Sequence, residues 1–237
     1  MEHKTERWIE KFRMEEKEVG GDLFLAFVNH IISYRVPIKK IIEYTSRNEK
    51  ILETGFGTGF ISIWLSHFGY DVTAIDKDEN IVKYGKRNNE LLKGKVKILH
   101  GDLFEEAGCY DLIFHIGVLE HFDEEDAIKI LKKQINQGKY IIFCVPSINA
   151  KEAKDLYGDE RLLSAKDWEK IILASGGKII DKFGYCFNFM PLEVCHYFPL
   201  FNKIFYSRAS NFGYVITNKN TKTTKRRTPL FWNSKPF

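Results

Sequence analysis

Ile51-Leu52-Glu53-Thr54-Gly55-Phe56-Gly57-Thr58-Gly59-Phe60 decides how the rest of this chain is read. Two apolar residues lead through a carboxylate into three glycines on alternate positions, and apolar residues then recur at helical spacing (Phe60, Ile61, Trp64, Leu65, Phe68). The pattern predicts a strand, a tight turn and a helix. Alternating glycines let the backbone take positive φ and leave no Cβ in the way, so a flat ligand can lie against the main chain. A dinucleotide fingerprint G-x-G-x-x-G needs a glycine at position 60, where Phe60 stands, and no GK[ST] phosphate loop occurs anywhere. Nothing basic sits in the turn to meet a pyrophosphate. The turn suits a ligand without phosphate.

Upstream of the turn, residues 1–18 alternate acidic and basic side chains around Trp8, Ile9, Phe12 and Met14, which predicts an amphipathic helix. Gly20-Gly21 ends it, Asp22 caps a second helix, and Pro37 starts a short third one to about Thr45. These helices precede the turn and can fold over its ligand. Downstream, Asp71 to Asp76, Lys95 to Leu99, Tyr110 to His115 and Tyr140 to Val145 read as strands. The helices between them are capped by Asp78 and opened by the Asp123-Glu124-Glu125-Asp126 run. Ser164 with Asp167 forms a capping box before another helix, and Lys178 to Phe187 and Phe212 to Thr217 read as sixth and seventh strands. Strands alternating with helices at this spacing imply an α/β fold, a Rossmann-like doubly wound parallel sheet. Ligands of such sheets sit at the carboxyl ends of the strands, where Glu53 to Gly59, Asp76, Asp102 and His115 all fall.

The chain has 237 residues, enough for one large domain or one domain with appendages. Its hydrophobic content is 44%, and its longest apolar runs fall short of a membrane span. The N-terminus carries charges of both signs and lacks an apolar signal core, which predicts a cytoplasmic protein. Cys109, Cys144, Cys186 and Cys195 show no CxxC spacing, so reduced thiols are expected rather than disulfides or a structural metal site. From Thr217 onward there are six basic residues and no acidic ones; subtracting them from the net charge of +4 leaves −2 on the rest. By charge, the body is not a nucleic-acid-binding surface.

Four stretches in order resemble the class I S-adenosylmethionine-dependent methyltransferases: Glu53 to Gly59, the acidic strand end Asp76, Gly101-Asp102-Leu103, and Tyr110 to Phe122. The resemblance covers about Lys50 to Pro146 strongly, and the strand pair from Lys178 to Thr217 more weakly. It implies a seven-stranded, mostly parallel sheet whose last strand, Phe212 to Thr217, is antiparallel and inserted. It also implies S-adenosyl-L-methionine as cofactor, with Glu53 at the methionine end and Gly55, Gly57 and Gly59 admitting the ligand to the backbone. Asp76 would accept both ribose hydroxyls, with Lys77 beside it, and Asp102 would accept from the adenine amino group next to Leu103. His115 and Ile116 would border the methionine and the reactive methyl.

The resemblance implies a division into a helical cap over residues 1–48, a methyltransferase domain over 49–217 and a basic tail over 218–237. An aromatic insert over 188–210 suits a substrate lid or a peripheral membrane contact. His121 and Glu120, just beyond the fourth strand, are the catalytic candidates where an acceptor needs a base. His115, Glu120, His121 and Asp123 are not expected to form a metal cluster, because close spacing across a turn does not by itself converge on an ion. The [DN]-P-P-[YFW] signature of enzymes that methylate base amino groups is missing after the fourth strand, where His115-Ile116-Gly117-Val118 stands. Cys144-Val145-Pro146 reads as a core thiol rather than a nucleophile. Tyr157, with Gly158-Asp159-Glu160-Arg161, falls where such folds place substrate residues. The expected acceptor is a small molecule, apolar or aromatic. A catalytically idle binding module, or a nucleic-acid or protein methyltransferase, stays open at this point.

Overall fold

The computed structural model describes residues 2–150, 160–186 and 205–219, with side chains from Trp8 onward. Tyr157 to Asp159, most of the aromatic stretch 188–210, Cys195 and the tail past 219 lie outside the described residues.

Three helices lead in: α1 (Glu2–Glu18), α2 (Leu23–Ser33) and α3 (Arg35–Tyr44). Strands and helices then alternate as β1 (Lys50–Thr54), α4 (Phe60–His67), β2 (Asp71–Asp76), α5 (Glu79–Leu91), β3 (Lys97–His100) and β4 (Tyr110–Ile116). A 3-10 turn (Leu119–His121) follows, then α6 (Glu124–Gln137), β5 (Gly138–Pro146), α7 (Ala165–Ala174), β6 (Gly177–Tyr185) and β7 (Asn211–Asn218). The seven strands form one sheet in the order β3-β2-β1-β4-β5-β7-β6. β1 to β5 pair in parallel, while β7 runs antiparallel to both β5 and β6. The inserted antiparallel last strand is present, with Phe143 of β5 opposite Tyr214 of β7.

The sheet is covered on both faces, as the apolar strands require. Along β5, Tyr140, Ile142 and Cys144 enter the core shared with α1 to α5, while Ile141, Phe143 and Val145 enter the core under α6 and α7. Period-two alternation thus divides one strand between two layers. Helix starts follow the predicted caps. Asp22 accepts from the N–H groups of Phe24 and Leu25 at 2.8 and 3.1 Å, and Asp78 from those of Asn80 and Ile81 at 2.8 and 3.2 Å. Asp123 accepts from Asp126 at 2.8 Å, and Ser164 accepts from the Asp167 N–H at 3.3 Å. Each such cap is worth about 1 kcal/mol. α3 begins two residues before Pro37, which falls within its first turn, where a missing N–H costs nothing.

One anchor of the N-terminal helices is ionic. Lys40 Nζ of α3 lies 2.9 Å from Glu43 and 2.8 Å from Asp181 of β6. Burial alone would lower the Lys40 pKa, but the hydrogen bonds to Asp181 and Glu43 outweigh it and hold the ammonium above its ordinary value.

Candidate cofactor and acceptor site

The glycine turn joins β1 to α4 with Gly55, Gly57 and Gly59 at φ of +65°, +56° and +74°. A Cβ at Gly55 would stand 2.7 Å from Val118 Cγ2, and one at Gly57 3.2 Å from Phe12 Cζ of α1. The turn is therefore backed by the loop after β4 and covered by the first helix. Phe56 folds inward and is buried, which is possible because α5 approaches it at Gly85, where a Cβ would meet the ring at 2.3 Å. Asn88 of α5, fully buried, donates from Nδ2 to the Thr58 carbonyl at 3.0 Å. Held from both sides, the loop keeps its shape before any ligand arrives.

Two carboxyl groups flank this loop. Glu53 is buried and hydrogen-bonded to the Ser62 hydroxyl. Burial pushes its pKa up to about 8, against the opposing Ser62 bonds and with a smaller push from the Asp76 charge. Asp76, at the end of β2, is raised to about 6, again chiefly by burial, while the N–H groups of Asp78 (3.0 Å) and Gly57 favour its carboxylate. At both acids burial outweighs what favours the carboxylate, the Ser62 bonds at Glu53 and the Asp78 and Gly57 N–H groups and the Lys77 charge at Asp76, so each gains from a ligand that brings positive charge or hydroxyl donors. An ammonium beside Glu53 and a ribose diol on Asp76 meet that need, and the residues present fit S-adenosylmethionine.

The Asp102 loop hangs from the same edge, because the Gly101 N–H donates to the Asp76 carbonyl at 3.0 Å. Asp102 Oδ1 accepts from the Phe104 N–H at 2.8 Å and shapes the turn. Leu103 packs into the second core, and its carbonyl accepts from Lys133 Nζ at 3.2 Å. Lys77 places Nζ 5.9 Å from the centre of the Phe122 ring. The structure thus gathers Glu53, the three glycines, Asp76, Lys77, Asp102 and Leu103 at one end of the sheet.

His115 is placed differently from its expected position beside the methionine. Its imidazole is fully buried in the other layer, stacked 5.6 Å from Phe143 at 16°, with Nε2 3.2 Å from Gln134 Oε1 of α6. Burial lowers its pKa to about 4, against the Gln134 bond. The reason is strand parity: in β4, Leu112, Phe114 and Ile116 face the α1 to α5 layer, and Ile113 turns with His115 to the opposite side. Ile116 alone of the pair faces the layer that carries the glycine turn.

The catalytic candidates also separate. His121 is partly exposed, its ring edge-on to Trp8 of α1 at 6.0 Å and 85°. Glu120 is buried and turns inward, with Oε1 3.5 Å from where a Cβ on Gly117 would stand. Its charge helps raise the Cys144 thiol and the Tyr34 phenol, both already lifted by burial. Among the described residues, no three His, Cys, Asp or Glu side chains converge to hold a metal ion.

Around Glu120 stand groups that the sequence did not single out. The Tyr185 hydroxyl, at the end of β6, is hydrogen-bonded with the Cys144 thiol, and Tyr34 lies between α2 and α3. Burial lifts both phenols well above their ordinary values, so both stay protonated. Tyr34, Cys144 and Tyr185 are far apart in the chain, and no local pattern marks them. Trp8 and Phe12 had only the amphipathic pattern of residues 1–18 to announce them.

Residues 51–136 match the family described as "Methyltransferase domain". An uncharacterized RNA methyltransferase of Protochlamydia amoebophila is 26% identical over 64% of this chain and 39% of its own length. The ubiquinone biosynthesis O-methyltransferase of Pelagibacter ubique is 26% identical over 57% of this chain and 59% of its own. The chain thus spans less than two thirds of these relatives. Among solved structures, an S-adenosylmethionine-dependent methyltransferase from Clostridium acetobutylicum superposes with a TM-score of 0.63 at 15% identity, covering 89% of this chain and 98% of the other. The central stretch of this chain belongs to the methyltransferase domain family. More narrowly, the sheet order and the glycine turn are those of the fold seen in solved S-adenosylmethionine-dependent methyltransferases.

Proposed function

We propose that this chain is a cytoplasmic enzyme that transfers a methyl group from S-adenosyl-L-methionine to a small apolar or aromatic acceptor by in-line displacement. The observation that carries this reading is the pairing of two burial-raised carboxyl groups at the glycine turn with a buried group in which the Cys144 thiol bonds the Tyr185 hydroxyl and feels the charge of Glu120. The sulfonium donor supplies an already activated methyl group when bound. The chain's own residues then align the acceptor, exclude water and take up a proton where the acceptor loses one.

Glu53 holds the ammonium of the methionine end, Asp76 accepts from the ribose hydroxyls, and Asp102 accepts from the adenine amino group alongside Leu103. Lys77 lies at the rim of the same site. His121 takes the proton of a phenol or protonated amine, and buried Glu120 shapes the turn that presents it. Trp8 and Phe12 of α1 cover the site against solvent, so residues 1–48 act as a cap on the catalytic domain over 49–217. The relatedness to an O-methyltransferase of ubiquinone biosynthesis supports an aromatic acceptor.

The test is turnover of the purified chain with S-adenosylmethionine and a panel of hydroxylated aromatics, read as S-adenosylhomocysteine released. At least one panel member should give product above the no-acceptor control. Tight cofactor binding without product, across the panel and across fractionated extract, would replace the enzyme with an idle binding module.

A further inference from the structure

We propose that Arg161 is the anion-recognition residue of the acceptor site and reads a carboxylate on the methyl acceptor, an assignment that rests on the methyltransferase reading above. Arg161 lies just outside the carboxyl ends of β4 and β5. Its N–H donates to the Glu120 carbonyl at 2.9 Å, within the turn that carries His121, and Leu163 two residues later bridges in parallel to Ser147, the residue after β5. The guanidinium carbon stands 5.8 Å from the centre of the Trp168 ring, a contact that orients the cation.

Nε and Nη2 of this guanidinium are both buried, and neither has a hydrogen-bond acceptor among the described residues. These two nitrogens form one edge of the guanidinium, with parallel N–H groups spaced to meet both oxygens of a planar carboxylate. Arginine keeps its charge in proteins, so deprotonation cannot relieve the burial. A cation held this way, without a counter-charge among the described residues, is completed by an anion that arrives with the ligand. Glu160 is the adjacent acid in the chain and Glu120 the acid whose carbonyl Arg161 meets, yet the Glu120 carboxyl group turns toward Gly117 and the Arg161 edge is left unsatisfied. The same edge lies at the switch-point end of the sheet, where acceptors of such folds bind.

Benzoate and its neutral isostere benzamide are the probes, titrated by calorimetry into the full chain saturated with S-adenosylhomocysteine. Wild type should bind benzoate at least tenfold more tightly than benzamide. Arg161→Gln should erase that preference with S-adenosylhomocysteine affinity unchanged within twofold, and Arg161→Lys, which keeps the charge but lacks the fork, should restore only part of it. Equal binding of the two probes by wild type, a preference that survives in Arg161→Gln, or tighter binding of inorganic phosphate than of benzoate would each overturn the assignment. If S-adenosylhomocysteine does not bind, the methyltransferase reading fails by itself, and the same titration without it still decides the role of Arg161. As a second readout, Arg161→Met should raise the melting temperature of the ligand-free chain, because it removes an uncompensated buried charge. A clear fall would give the guanidinium a structural role in place of the ligand.

Discussion

The proposed donor side takes its polar groups from a single run of chain between Glu53 and Leu103, whereas the proposed acceptor side draws on Trp8, Tyr34, Glu120, His121, Cys144, Arg161 and Tyr185 from almost the whole described length. On the donor side each group sits at a strand end or in the turn that follows, and backbone hydrogen bonds such as Gly101 to Asp76 hold one loop to the next. On the acceptor side the groups meet only because α1, α3, β5 and β6 pack as they do, with Lys40 tied to Asp181 across 141 residues of sequence. A fixed donor demands fixed, locally encoded contacts. The acceptor end can be rebuilt by changing residues that share no motif, which is how one fold serves many substrates.

The sharpest way to break this contrast is to alter one side and read the other. His121→Ala should lower turnover by about 10² to 10⁴, the range expected for loss of a general base, and leave cofactor affinity within twofold. A wild-type rate with a phenolic acceptor would return His121 to the role of a turn residue beside Trp8. Asp76→Ala acts on the donor side. It removes an acceptor for two ribose hydroxyls, each bond to a charged group being worth about 1.5 kcal/mol or more, so cofactor affinity should fall by about 10². Calorimetry showing unchanged affinity would displace the ribose site from the end of β2.

The same contrast sets what the sequence makes legible. Asp22, Asp78, Asp123 and Ser164 cap the helices that their local spacing announces, and the glycine turn falls between β1 and α4 as its pattern demands. Local rules suffice where a residue's partner lies within four positions. His115 fails that condition, because its direction depends on which parity of β4 faces the glycine turn, and a one-residue shift exchanges the two faces. Apolar residues on both faces of a buried strand carry no such signal. The cluster of Lys40, Glu43 and Asp181, the Tyr185 contact with Cys144 and the bare edge of Arg161 are likewise products of tertiary packing.

A last prediction concerns protons on the donor side, where Glu53 moves from an ordinary 4.5 to about 8 and Asp76 from 3.8 to about 6. Because both folded values exceed the unfolded ones, the ligand-free chain holds these protons more tightly than the unfolded chain does. Their contribution to stability is complete below about pH 4 and is lost as pH rises through about 6 and then about 8. Cofactor binding runs the other way, since an ammonium beside Glu53 and ribose hydroxyls on Asp76 both favour the carboxylates. Affinity should therefore rise between pH 5 and 8, by at most about tenfold per unit for each group, and binding at pH 7 should release a proton from Glu53. Calorimetry in buffers of different ionisation enthalpy reads that proton directly. Glu53→Gln should abolish the release near neutrality while leaving the rise through pH 6 that belongs to Asp76. A flat affinity from pH 5 to 8 in wild type would show that neither carboxyl group changes its charge when the cofactor arrives, and the donor side would then rest on its glycine backbone alone.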